Sequence, residues 1–217
     1  MPIIIGVVSQ KGGVGKSTIA RLIAREFAHN GWDVKIADMD IQQGTSFHWH
    51  KQRAANQIQP PIRTEPFATV TQAFKDAEHF DLFILDGAPA ATTATQEIGR
   101  HADLLILPSG LSNDDLRPQV LLAHEFLKHG IPKEKIVFVL CRVGDSDSEI
   151  RDARDYIASA GYIVLEGEVP ERTLYRRASD SGRAFTETPS KSLNQRADAV
   201  VQSIVNAVKQ ITERRAA

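Results

Sequence analysis

The sequence predicts an α/β fold: a mostly parallel, twisted sheet with helices packed on both faces. Three observations predict it. Short runs at residues 3–8, 81–87, 103–107 and 135–140 are apolar through their interiors, as strands buried on both sides must be. Segments with apolar residues at helical spacing separate these runs, and strands joined by helical crossovers lie parallel. A glycine-rich stretch follows the first run directly and opens a helix.

Taken in order, residues 3–8 form the first strand. Over residues 18–30, Ile19, Leu22, Ile23 and Phe27 recur at helical spacing, and Gly31 ends the helix. Residues 34–37 form a short strand closing in Asp38-Met39-Asp40. Gly44 opens a loop, and Thr45-Ser46 is expected to cap a helix running to about residue 56. Residues 57–66 carry Pro60, Pro61 and Pro66 and predict an irregular connection with at most a short edge strand. A helix at 70–77 and a strand at 81–87 follow, the strand ending in Asp86-Gly87. Residues 94–100 give a short helix and 103–107 a strand stopped by Pro108. The next helix, 116–130, tolerates Pro118 in its first turn. A strand at 135–140 precedes a helix at 149–160 ended by Gly161. Residues 162–165 form a strand, followed by Val169-Pro170 and an arginine-rich helix at 171–181. Over residues 193–214, Leu193, Ala197, Val200, Ile204, Val208 and Ile211 make one stripe, an amphipathic closing helix. No repeat or linker divides the chain, so one domain over residues 1–217 is expected.

The totals narrow the function. The length suits one α/β domain with a sizeable core, and 42% apolar with 24% charged residues is ordinary for a globular protein. A net charge of −1 means that any affinity for nucleic acid must come from a local patch. A single cysteine, Cys141, excludes an intrachain disulfide and an all-cysteine iron–sulfur site within one chain. No run approaches the ~18 apolar residues of a membrane span. The first strand follows the N-terminus without a charged leader, so a cytoplasmic chain is expected.

Three strand ends carry matching chemistry, where parallel sheets place their ligands. After the first, Lys11-Gly12-Gly13-Val14-Gly15-Lys16-Ser17-Thr18 reads as a P-loop with two lysines. The glycines let the backbone approach phosphates, Lys16 neutralises the β- and γ-phosphates, and the Ser17 hydroxyl ligates Mg²⁺. A bare tight turn would not need the lysine and both hydroxyls. After the second strand, Asp38 and Asp40 share a side if the chain stays extended. One could hold a water of the metal shell while the other orients the attacking water. The bland reading is a solvated acidic turn. The third strand ends in Asp86, an apolar strand capped by a metal-binding carboxylate, with Gly87-Ala88-Pro89 able to sense the γ-phosphate.

These stretches, Lys11 to Thr18, Asp38-Met39-Asp40-Ile41-Gln42 and Leu85-Asp86-Gly87-Ala88-Pro89, resemble the three signatures of the ParA/MinD family of deviant Walker-A ATPases. Order and spacing agree over essentially the whole chain, and the short ParA-type DNA partition ATPases, which lack an N-terminal helix-turn-helix domain, are the most similar in layout. The resemblance implies a P-loop NTPase fold, ATP and Mg²⁺ as cofactors, and slow hydrolysis stimulated by a partner. It implies that Lys11 reaches across a nucleotide-sandwich homodimer to the partner's ATP, that Lys16 and Ser17 bind phosphate and metal, that Asp40 positions the hydrolytic water, and that Asp38 and Asp86 support the metal. Two departures stand out. Ile41 occupies a position where many relatives have proline, and Ser109-Gly110-Leu111-Ser112-Asn113-Asp114-Asp115 replaces a more proline-rich stretch.

The resemblance further implies non-specific DNA binding by the dimer, a nucleoid-associated location, and an adaptor protein that carries cargo or a centromere. Arg172, Arg176, Arg177 and Arg183 are the candidate DNA contacts, with Arg142 and Lys191 weaker ones. Their bland reading is a solvated face paired with Glu171, Asp180 and Glu187. A MinD-like membrane ATPase is the main alternative, but residues 212–217 lack apolar anchors. A non-hydrolysing scaffold is another. His48-Trp49-His50 lacks further metal ligands, and a helix that buries Trp49 and exposes the histidines is the simpler expectation.

Overall fold

A computed structural model describes residues 2–90 and 92–216. Seven strands form one sheet in the order β3-β2-β4-β1-β5-β6-β7, and every pairing is parallel. They are β1 (Ile3–Ser9), β2 (Val34–Asp38), β3 (Arg63–Pro66), β4 (Leu82–Pro89), β5 (Leu104–Ser109), β6 (Ile136–Val143) and β7 (Ile163–Pro170). All residues of β1 are buried, which is why it carries no polar side. Its side chains alternate between two cores. Ile3, Ile5 and Val7 pack with α1 (Lys16–His29), Trp49 of α2 (Thr45–Ala55) and the long α8 (Lys191–Ala216). Ile4 and Val8 face the opposite core, formed with α3 (Val70–Ala77), α4 (Thr93–His101), α5 (Asn113–Lys128) and α6 (Asp147–Ser159).

The predicted elements are present, with instructive differences. Pro108 does not stop β5 but lies inside it, paired with Val139 of β6. It is tolerated because pairing of β5 with β1 ends at Val7–Ile106, so no ladder bond is lost to the missing N–H on that side. Buried Gln119 fills the gap, its Nε2 donating to the Pro108 carbonyl at 2.7 Å. Helix α5 starts three residues earlier than expected, which moves Pro118 from the first turn into the helix body. Thr45-Ser46 does not cap α2: Gly44 holds the N-cap position at φ 54°, with no side-chain capping bond. Strand β7 continues from Ile163 through Val169-Pro170 by two register shifts against β6. The arginine-rich helix is shorter than expected, α7 (Thr173–Asp180). In α8, Ala197, Val200, Ile204 and Val208 are buried as the stripe requires, while Leu193 and Ile211 are partly covered. The tail reading at 212–217 falls partly on Ala217 and the side chains of 214–216, which lie outside the described residues.

Candidate functional site

The first strand delivers the chain into a loop whose glycines bend where other residues could not. Gly13 and Gly15 have φ of 76° and 107°. Gly15 is also the N-cap of α1 without a side-chain cap, so the first N–H groups of the helix are left to an incoming anion. A Cβ on Gly15 would come within 3.1 Å of the Cβ and Sγ of Cys141. Cys141 is buried inside β6, paired with Val169 of β7, its thiol pushed up to about 12 by burial.

Lys16 lies at the head of α1 and is buried. Its Nζ donates to the Lys11 carbonyl at 3.2 Å and closes the loop into a ring. Burial lowers its pKa, opposed by Asp86 and Asp40. Next to it, Ser17 and Thr18 line a cavity of about 460 Å³ together with Gly12, Gly13, Gly15, Lys16, Asp40 and Asp86. Val14 is buried beneath the loop.

The two strand-end aspartates are brought side by side by register, because Asp38 of β2 pairs directly with Asp86 of β4. Their environments differ. Asp38 accepts from the backbone N–H groups of Ser46 and Phe47 at 2.9 and 3.0 Å and from that of Asp40 at 3.1 Å. It therefore serves the start of α2 in place of the side-chain cap that Thr45 and Ser46 do not provide. Burial still raises its pKa against those bonds. Asp86 has only Ser46 Oγ on its Oδ2, at 2.6 Å, while its buried Oδ1 has no partner. Burial pushes the Asp86 carboxyl up to about 6, with the Ser46 hydrogen bond and the nearby Ser17 hydroxyl pulling the other way. Asp40 does not continue the extended strand. It enters a turn, accepts the Gln43 N–H at 3.1 Å, and reaches the cavity wall from there.

Sequence reasoning missed three residues here. Buried Arg21 donates from Nε to Ser46 Oγ at 3.3 Å and from Nη1 to Ser179 Oγ at 3.0 Å, and its Nη2 has no partner. Burial brings its pKa down to about 10, opposed by Asp86 and Asp38. The available signal was an arginine flanked by the apolar positions of α1. Ser46 joins Arg21 to Asp86, and nothing local marks it. The third is Asp115, which holds Lys11.

The second lysine points elsewhere. Lys11 Nζ donates to Asp115 Oδ1 and to the Asp114 carbonyl, both at 2.8 Å. It lines a separate depression beside Gly110, Ser112 and Arg142, not the cavity that receives Lys16. The candidate arginines also divide. Arg172 and Arg176 line the main cavity and pair with Asp145 and Glu171, respectively. Arg177 and Arg183 are exposed, and their side chains have no ion-pair partner among the described residues. Arg142, at φ 55°, donates to the Gly13 carbonyl at 2.9 Å and to Glu171 at 3.0 Å, which ties it to the loop. In α2, Trp49 is buried while His48 is exposed and His50 half-buried.

An unpartnered, buried Asp86 oxygen beside a serine hydroxyl suits a small hard cation. Among the described residues no group of three or more His, Cys, Asp or Glu converges on one point. A cation here would draw few ligands from protein and the rest from phosphate and water, which is how Mg²⁺ is usually held. Phosphates fit the loop above it.

Residues 5–185 match the CobQ/CobB/MinD/ParA nucleotide-binding domain. The chain belongs to this family. Members of the family similar to it include the protein ParA of Rhizobium radiobacter, 25% identical over 89% of this chain and 89% of the relative. An iron–sulfur cluster carrier protein of Clostridium perfringens is 25% identical over 88% of this chain and 84% of its own length. The fold is shared with MinD of Pyrococcus horikoshii complexed with Mg-ADP, at a TM-score of 0.75 and 16% identity over 94% of this chain and 96% of that one. The chain is therefore of the ParA/MinD ATPase type, nucleotide-binding by family. Among the described residues no helix is long and apolar enough to cross a membrane.

Proposed function

We propose that this protein is a ParA-like, Mg²⁺-dependent ATPase that forms an ATP-sandwich homodimer, binds DNA non-specifically as the dimer, and moves DNA or cargo through an adaptor protein. The observation that carries the reading is the divergence of the two loop lysines: Lys16 enters the cavity of its own chain, and Lys11 is directed out of it. A cation on the outer side of a phosphate loop is of use to a second copy of the chain.

In this reading the N–H groups of Gly12 to Thr18 cradle the phosphates, and Lys16 balances their charge. Ser17 and Asp86 would hold Mg²⁺, which would supply charge neutralisation at the phosphates. Asp38 keeps the start of α2 in place and so holds Ser46 against Asp86. Asp40 orients the water for in-line attack. Lys11 of the partner stabilises negative charge that develops on the transferred phosphoryl group, as an arginine finger does. Exposed Arg177 and Arg183 are the better placed candidates for DNA phosphates. An iron–sulfur role is disfavoured by Cys141, which is buried and held as a thiol.

Retention on DNA measured with ATP, with ADP and without nucleotide tests the proposal, alongside phosphate release with and without DNA. DNA retention that requires ATP is expected, with DNA-stimulated release. Equal retention in all three conditions would remove the switch, and ATP-dependent co-sedimentation with liposomes would favour the membrane reading.

A further inference from the structure

Lys11 is held at four points within its own chain. Its N–H donates to Ser9 Oγ at 3.0 Å, and its carbonyl accepts from Lys16. Its ammonium takes the Asp115 carboxylate and the Asp114 carbonyl, each at 2.8 Å. That second acceptor exists for a reason visible in α5. In a regular helix the Asp114 carbonyl would receive the N–H of residue 118, and residue 118 is proline. Pro118, in the helix body rather than the first turn, leaves one carbonyl unclaimed, and Lys11 occupies it. The carboxylate is positioned as carefully. Ser112 Oγ donates to Asp115 Oδ2 at 3.0 Å, and that oxygen sits where a Cβ on Gly110 would come within 2.4 Å. A serine, a glycine and a helix-interior proline thus converge on a seat for one ammonium group.

We infer that Asp115 is a positioning residue for Lys11, and that with the Asp114 carbonyl it clasps Lys11 in cis and opposes dimerisation until the clasp opens. The inference rests on the sandwich-dimer reading above. An ammonium bound to its own α5 cannot also reach a phosphate on another chain, so each protomer has to release Lys11 before the two sites close. Lys11 and Asp115 side chains are 40% and 27% exposed, so the clasp is wet enough to break without a large barrier. A partly exposed pair of this kind corresponds to about a threefold effect, and a symmetric dimer opens two, so the clasp raises the dimer Kd about tenfold.

Two variants and two measurements test this. Asp115→Asn keeps the shape and removes the charge. Pro118→Ala restores an N–H for the Asp114 carbonyl and repairs the helix, so loss of fold does not explain its effect. Lys11 reactivity toward an amine-labelling reagent is read by mass spectrometry without nucleotide, and the dimer Kd by sedimentation velocity with saturating ATP and Mg²⁺. Expected are several-fold faster labelling of Lys11 in Asp115→Asn and a dimer Kd about tenfold lower. Pro118→Ala should move both in the same direction by about two- to threefold. Equal labelling of Lys11 in wild type and Asp115→Asn would overturn the clasp. A dimer Kd unchanged or raised in Asp115→Asn, with wild type still dimerising on ATP, would overturn its opposing role while the sandwich reading stands. If wild type does not dimerise with ATP at all, the sandwich reading fails and the inference fails with it.

Discussion

Ser46 Oγ donates to Asp86 Oδ2 at 2.6 Å and accepts from Arg21 Nε at 3.3 Å, so one buried hydroxyl joins the end of β4 to the core face of α1. Replacing it with alanine leaves a buried carboxylate oxygen and a buried guanidinium N–H without partners. Ser46→Ala is expected to cost about 2 kcal/mol, a fall in Tm of roughly 4–8 °C. Thermal denaturation without nucleotide checks it, and Mg²⁺ with nucleotide should recover part of the loss.

The loop lysines should separate in mutants. Lys16→Ala is expected to lower ATP affinity by about a hundredfold, since it removes a buried cation from the cavity at the glycine-rich loop. Lys11→Ala should keep ATP affinity within about threefold and abolish ATP-dependent dimerisation and turnover. Titration calorimetry and sedimentation read the two outcomes. If both variants lost ATP binding alike, the division of labour would be wrong.

Gly15→Ala meets two obstacles at once, a φ of 107° and the side chain of Cys141 at 3.1 Å. The backbone strain alone costs about 1–3 kcal/mol. Relaxing it would also turn the N-terminal N–H groups of α1 away from the cavity. Nucleotide affinity should fall at least tenfold, with a lower Tm in a thermal-shift assay.

Glu187 sets an acid limit on stability. Burial works against its ionisation, but Arg53 at 2.7 and 3.0 Å, the Ala184 N–H and Arg25 outweigh it and hold the carboxyl below its ordinary value. The folded protein keeps Glu187 ionised at a pH where the unfolded chain has taken up a proton. Its contribution is therefore complete above the ordinary value of 4.5 and is lost as pH falls through the lower, folded value. Glu187→Gln strands Arg53, which is 1% exposed, and should cost about 3 kcal/mol at pH 7. Between pH 5.5 and 3.5, roughly one unit either side of that ordinary value, the Tm of Glu187→Gln should fall less than that of wild type.

The arginines should sort by where they point. Arg177→Glu and Arg183→Glu are expected to weaken DNA retention and to lower the salt slope by about one per lost phosphate contact, with ATP affinity unchanged. Arg172→Ala and Arg176→Ala, from the cavity wall, should change nucleotide affinity instead. Salt-dependent DNA titrations beside nucleotide titrations distinguish them.

Much of the fold is legible in the sequence because its strands are short apolar runs buried on both sides and its helices show a clear stripe. Three misplaced features involve proline or a helix start. Pro108 was expected to end its strand, but its lost N–H falls beyond the pairing with β1, which depends on another strand. Pro118 was expected to lie in a first turn, and the helix begins at Asn113 instead. The cap of α2 comes from Asp38, several residues upstream, which no i to i+3 rule can find.

For the candidate site, the sequence alone determined the glycine-rich loop, since its glycines act through backbone conformation and its Lys16, Ser17 and Thr18 follow within a few consecutive residues. It also marked Asp38 and Asp86 as strand ends, because an apolar strand closing in a carboxylate is a local pattern. Which oxygen stays unpaired was decided by the tertiary structure: the β2–β4 register sets the aspartates side by side, and α1 and α2 deliver Arg21 and Ser46 to them. The direction of Lys11 was decided the same way. Its seat on α5 is built from residues about a hundred positions away in the chain, and only packing of α5 beside β1 brings that carboxylate to the loop.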